Sequence, residues 1–296
     1  MKSFIINLDV PFNLDHTMDC GQTFRWNKLK DGSWLGVVDG ALLILKQENS
    51  ELHVKSSAEN LFGMELDEGI RYYLGLNDDL DTIKDNIVEN LKLYGFYEQS
   101  VLTDKVFDLY RGLRILRQDP WEMLIEYLIS ARNNIPSIKR TIEKLCRLFP
   151  ENKRQFDGIE YYVFPTLKQL KKLSLRELES INLAFRANWI YDTVRSVDLE
   201  KLYSLKGRSF NDKLEYLLTL KGVGYKIASC VMLFSLEEFS AFPVDVWIER
   251  VMFNLFNVKG STKRVMETGR KYFGAFAGYA QEYLFKYFRT LQKGDK

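Results

Sequence analysis

Lys226 follows a Gly222-Val223-Gly224 turn by two residues, and Asp245 follows Lys226 by nineteen, in the run AFPVDVWIERV. A lysine amine is a nucleophile only when neutral, and an unperturbed lysine titrates near pH ~10.4. Two influences are expected to lower that value: the positive end of a helix starting at about Tyr225, and desolvation in a closed pocket. A carboxylate paired with the amine would oppose both. Asp245 is therefore expected to stabilise positive charge developing on a substrate, and to relay a proton, rather than to neutralise Lys226. Plainer roles stay open for both. A lysine in an early helical turn also reaches solvent or phosphate, as Lys221 is expected to do, and Asp245 is a good N-cap for DVWIERVMFNLF.

The elements that must position these groups are legible around them. In LEYLLTLKGVGYKIASCVMLFSL an amphipathic helix runs into the glycines and a second one leaves them. Gly222 suits a left-handed conformation. Gly224 leaves room for close approach to the free N–H groups of the second helix, an anion site suited to phosphate; a bare helix–helix turn would read the same way. Asp119, Pro120 and Glu122 read as a cap, a first-turn proline and a capping-box partner. From Asp119 onward the spacing predicts helices only, joined by short Gly, Pro, Asn or Ser connectors. Earlier in the chain, TFRWNKL, WLGVV, ALLILKQ and ELHVK alternate with turn residues, including Asp39-Gly40, and predict a β meander. Leu80, Ile83, Ile87 and Leu91 then recur at helical intervals. The reading is an α+β chain: an antiparallel β-rich N-terminal domain over 1–117, then a mainly α-helical domain over 118–296 containing a helix-hairpin-helix.

Composition sets limits. Of the 296 residues, 46% are hydrophobic, enough for sizeable cores. No run of eighteen or more apolar residues occurs, so a membrane span is not expected. The N-terminus meets acid and proline too early for a signal peptide. Cys20, Cys146 and Cys230 are too few and too scattered for a disulfide framework or a four-cysteine zinc or iron–sulfur site, and suit a reducing compartment. His16 and His53 are the only histidines, which argues against a histidine metal site and a histidine base in the helical part. No metal or cofactor is expected. Residues 1–117 hold 13 Lys and Arg against 19 Asp and Glu, while 118–296 hold 29 against 21. The net of +8 on the second part suggests a polyanionic partner, although a solvated surface accounts for it as well.

The hairpin with its lysine, followed by Pro-Val-Asp at the start of another helix, resembles the helix-hairpin-helix DNA glycosylase superfamily. CGQTFRW at Cys20–Trp26, SARNNI at Ser130–Ile135, AFRANWI at Ala184–Ile190 and GYAQEYLF at Gly278–Phe285 narrow the resemblance to its 8-oxoguanine DNA glycosylase/lyase branch. The motifs recur in family order across nearly the whole chain. The resemblance implies that Lys226 attacks C1′ of a lesion nucleotide to give a Schiff base, with β-elimination cutting the strand. It implies duplex DNA containing oxidised guanine as partner. Monomeric action in a cytoplasm is the default expectation.

Such an enzyme must extrude its base and fill the gap. The resemblance assigns gap filling to Arg132, Asn133 and Asn134, and packing around the opposite base to Phe185 and Arg186. The Gly21 carbonyl would accept from N7–H, which 8-oxoguanine has and guanine lacks. Gln281 would read the Watson–Crick edge, with Phe285 stacking on one face of the base and Cys230 facing the other. Three positions depart from the family pattern. Arg132 stands where vertebrate members carry Asn, Trp247 where His is frequent, and Ser137 where an arginine reads the opposite cytosine. The last predicts a weaker cytosine preference. Two other readings remain: a sibling glycosylase for another damaged base, and a non-catalytic DNA-binding hairpin protein. Monofunctional siblings lack the hairpin lysine, and others carry an iron–sulfur loop that does not follow Cys230 here.

Overall fold

The computed structural model describes residues 2–294. Five antiparallel strands form the first layer: β1 (Lys2–Asn7), β2 (Trp26–Lys28), β3 (Trp34–Val38), β4 (Ala41–Glu48) and β5 (Glu51–Ser56), in the order β1-β5-β4-β3-β2. Alternation makes one face apolar: Trp34 and Val38 on β3, Leu43 and Leu45 on β4, and Leu52 and Val54 on β5 are all buried. Trp26 joins them, its indole N–H donating to the Tyr73 hydroxyl at 2.7 Å. The meander holds as a unit, with two differences. TFRWNKL contributes only the short β2, and β1, absent from the sequence reading, closes the edge by pairing with β5 from Lys2↔Ser56 to Asn7↔Glu51.

The rest of the chain is mainly helical, around a second and larger core. Its axis is the helix Pro120–Ser130, nine of whose eleven residues are buried. Asp119 caps it, accepting from the Glu122 N–H at 2.9 Å. Glu122 does not close a capping box: its carboxylate pairs instead with Arg25 at 3.1 Å, tying the first layer to this helix. Chain order and packing order diverge before residue 118. Leu80, Ile83, Ile87 and Leu91, on the helix Leu80–Leu93, pack in the core of the helical body and not beneath the sheet.

The helical expectation after Asp119 needs one correction. Lys153–Phe156 and Ile159–Tyr162 form an antiparallel hairpin about Asp157-Gly158. An Asp-Gly pair between alternating residues carries the same signal that located the Asp39-Gly40 turn.

Candidate active site

Three elements converge on one cavity. The helix-hairpin-helix runs from Phe210–Leu218 through Gly222-Val223-Gly224 into Tyr225–Ser235. Gly222 takes φ +80°, and a Cβ there would lie 2.4 Å from the Trp189 ring, so both conformation and space demand glycine. Val223 is buried and anchors the turn, while Gly224 caps the second helix without a side chain and lies exposed. The helix Val246–Phe256 begins at Asp245, whose Oδ1 accepts from the N–H groups of Trp247 (3.0 Å) and Ile248 (2.9 Å). The C-terminal helix Ala277–Gly294 reaches the site because Gly278 lets it approach Leu233 on the second hairpin helix, where a Cβ would lie 2.2 Å from the Leu233 side chain.

A cavity of about 60 Å³ lies among them, lined by Lys226, Asp245, Gly21, Cys230, Gln281 and Phe285, together with Cys20, Tyr127, Phe234, Pro243 and Glu282. The six residues named from the sequence as nucleophile, stabiliser and base pocket thus line one cavity. Lys226 Nζ sits 5.0 Å from the centre of the Tyr127 ring, a cation–π contact. Among the described residues no ion pair joins Lys226 to Asp245; the nearby pairs are Lys286–Asp19 at 3.2 Å and Arg289–Asp19 at 3.8 Å.

Burial shapes the electrostatics. It raises the Asp245 carboxyl above its ordinary value, against the pull of the Ile248 N–H, Lys226 and the Trp247 N–H. Burial pushes the Cys230 thiol up to about 11, opposed by Lys226. Gly21 takes φ +94°, and the Tyr127 hydroxyl stands 3.5 Å from its carbonyl oxygen, beyond a good hydrogen bond. Gln281 is 4% exposed, and its Oε1 has no hydrogen-bond partner. A buried amide oxygen without a partner in the chain is costly, and it suits an N–H donor. Glu282, beside it, was missed by sequence reasoning. Its one signal was a charged residue inside the apolar run GYAQEYLF.

The second group of residues gathers on a neighbouring surface. Arg132 is exposed with φ +48°. Asn133 Nδ2 donates to the Ile129 carbonyl at 3.3 Å. Asn134 caps the helix Ile135–Arg147, accepting from the Ser137 N–H at 3.0 Å. Phe185 is 41% exposed and meets the Trp189 ring edge-on at 4.9 Å. Arg186 is buried, and its guanidinium donates to the carbonyls of Ala131 (2.6 Å), Arg132 (3.0 Å) and Leu183 (3.3 Å). Its nitrogens hold the Arg132 loop to the helix Arg186–Ser196.

Comparison with known proteins accords with this geometry. Residues 5–124 match the family model described as 8-oxoguanine DNA glycosylase, N-terminal domain. The N-glycosylase/DNA lyase OGG1 of Arabidopsis thaliana is 30% identical over 93% of this chain and 79% of its own length. The 8-oxoguanine glycosylase/lyase of Clostridium acetobutylicum in its apo form is 32% identical and superposes with a TM-score of 0.85, covering 97% of this chain and 96% of that one. The same Clostridium acetobutylicum enzyme, in complex with double-stranded DNA containing cytosine opposite 8-oxoguanine, superposes with a TM-score of 0.82 at 31% identity, covering 98% of each chain. The chain belongs to the 8-oxoguanine DNA glycosylase/lyase family, a branch of the helix-hairpin-helix glycosylases. Among its described residues no helix is long and apolar enough to cross a membrane.

Proposed function

We propose that this protein excises 8-oxoguanine from duplex DNA and cleaves the strand through a Schiff base on Lys226. The observation that carries the reading is the unpartnered Gln281 Oε1, buried in the cavity that also holds Lys226 and Asp245. An orphan acceptor beside a nucleophile suits a base whose Watson–Crick edge carries N–H donors. The names of the relatives support the same substrate.

The neutral amine of Lys226 attacks C1′ as the C1′–N9 bond breaks. The electron pair leaves with the base, which takes up a proton. Asp245, fixed by two N–H groups, faces the positive charge that develops on the sugar. The new amine loses a proton, and its nitrogen lone pair then forms the C1′=N bond of an iminium as the C1′–O4′ bond breaks and O4′ takes up a proton. Abstraction of a C2′ proton then expels the 3′ phosphate. Exposed Gly224, at the start of the second hairpin helix, offers main-chain N–H groups to a phosphate of the held strand. Arg132 fills the gap left by the base, and Phe185 packs against its former partner. The chain works as a monomer in the compartment that holds the DNA, the cytoplasm with its nucleoid; its three free, buried cysteines suit reducing conditions.

Borohydride trapping on a duplex with one 8-oxoguanine should give a covalent adduct that disappears in Lys226→Gln. An adduct that persists in that variant would refute the assignment. The short Ser137 side chain supports a weaker preference for opposite cytosine. A panel of the four opposite bases tests this, and a strict cytosine requirement would overturn it.

A further inference from the structure

Glu282 takes no part in the steps above, yet it lines the same cavity and is 3% exposed. Its carboxyl shares that cavity with the Cys20 and Gln281 side chains, its Oε2 has no partner, and the Cys20 thiol donates elsewhere, to the Thr17 carbonyl at 3.1 Å. Cys20 is adjacent to Gly21, and Gln281 precedes Glu282 on the helix, so Glu282 shares one cavity with the two groups assigned to opposite ends of the purine edge. Along that edge 8-oxoguanine presents N7–H, then O6, then N1–H. The protein presents the Gly21 carbonyl and Gln281 Oε1 as acceptors for the two N–H groups, which leaves the Glu282 carboxyl for the oxygen between them. The middle position needs a donor.

We propose that Glu282 donates the hydrogen of its carboxyl to O6 of the extruded base and is a specificity-determining residue for guanine-derived lesions. The inference rests on the reading of Gly21 and Gln281 given above. An adenine-derived base would present an N6 amino group there, donor facing donor, and leave a buried hydroxyl unsatisfied.

The charged surroundings allow the carboxyl to keep its hydrogen. Asp245 repels a second negative charge. Arg289 attracts one, but it is placed with Lys286 on Asp19. Lys226 lies over the Tyr127 ring, on the facing helices. Among the described residues no cation pairs with Glu282, and burial pushes its carboxyl up to about 8.

The test is the pH profile of kcat/KM on 8-oxoguanine duplexes. The wild type should lose activity as pH rises through about 8. Glu282→Met should fall about tenfold to a hundredfold at pH 7, the effect of an unmet buried hydrogen bond. Glu282→Gln, whose amide donates at every pH, should recover activity relative to Glu282→Met and lack the alkaline limb. A duplex with 8-oxo-6-thioguanine, a weaker acceptor at that position, should be cleaved by the wild type roughly tenfold more slowly than 8-oxoguanine. Wild-type rates in Glu282→Met, an unchanged alkaline limb in Glu282→Gln, or equal wild-type rates on the two bases would each overturn the inference. Those results leave 8-oxoguanine excision intact; failure of the wild type to release 8-oxoguanine at all would instead remove the underlying reading.

Discussion

The cavity and the surface beside it handle polar groups in opposite ways. In the cavity, Gln281 Oε1 and Glu282 Oε2 are buried and unpartnered. On the surface, Asn134 is engaged as a helix cap, Asn133 bonds the Ile129 carbonyl, and Arg186 serves three carbonyls of its own chain. The first region leaves these polar atoms without partners of its own, as the proposed recognition of a base requires. The second has closed its bonds internally and offers shape: exposed Arg132 and the exposed ring of Phe185. Chemistry needs groups aimed before the base arrives, and filling a gap needs a stiff loop.

Three results would break or sharpen that contrast. Asp245→Asn should reduce kcat by about a hundredfold to a thousandfold with DNA affinity retained, since Asn caps as well as Asp but carries no charge. Because burial raises the Asp245 carboxyl, wild-type activity should fail on the acid side at a pH above that of an ordinary aspartate. Unchanged turnover in Asp245→Asn would reduce this carboxylate to a cap and erase the distinction between the regions. Next in size, Arg186→Ala should destabilise the protein by about 2–3 kcal/mol, since buried carbonyls would lose a charged donor. Thermal unfolding reads this as a drop of several degrees, and an unaltered melting temperature would mean that the guanidinium does not hold the loop.

A third effect, which depends on pH, concerns the open bonds themselves. Glu282 keeps its proton in the folded protein up to about pH 8, whereas an ordinary glutamate releases it near 4.5. Between those values the folded state binds the extra proton, so stability falls as pH rises. Glu282→Gln should therefore melt a few degrees above the wild type at pH 8 and nearly level with it at pH 5. Equal gains at both pH values would show that burial of a charge is not the cause.

That Lys226, Asp245, Gly21, Cys230, Gln281 and Phe285 would meet in one cavity was legible in the sequence because each sits in a short motif of fixed spacing, and the motifs keep their order. Glu282 was not readable. Its burial depends on Gly278 drawing the C-terminal helix against Leu233, a contact between distant segments. The edge strand Lys2–Asn7 was missed for a like reason, since its partner Glu51–Ser56 lies far along the chain. Arg186 was read as packing around the opposite base; its bonds to three carbonyls of its own chain were not legible, because an arginine's donors look the same whichever acceptor they meet. The Asp157-Gly158 hairpin is different: its signal was present but lay among helical segments, and a four-residue strand carries little periodicity of its own.

Trp189 fills the space that Gly222 leaves vacant, and its ring also meets Phe185, over which Arg186 lies at 4.6 Å while bonding the Arg132 carbonyl. One indole therefore joins the turn proposed to meet the phosphate backbone to the loop proposed to enter the emptied stack. On that proposal the ring acts as a ruler along the strand, and a shorter or softer side chain at 189 is expected to leave both surfaces in place while loosening the measure between them.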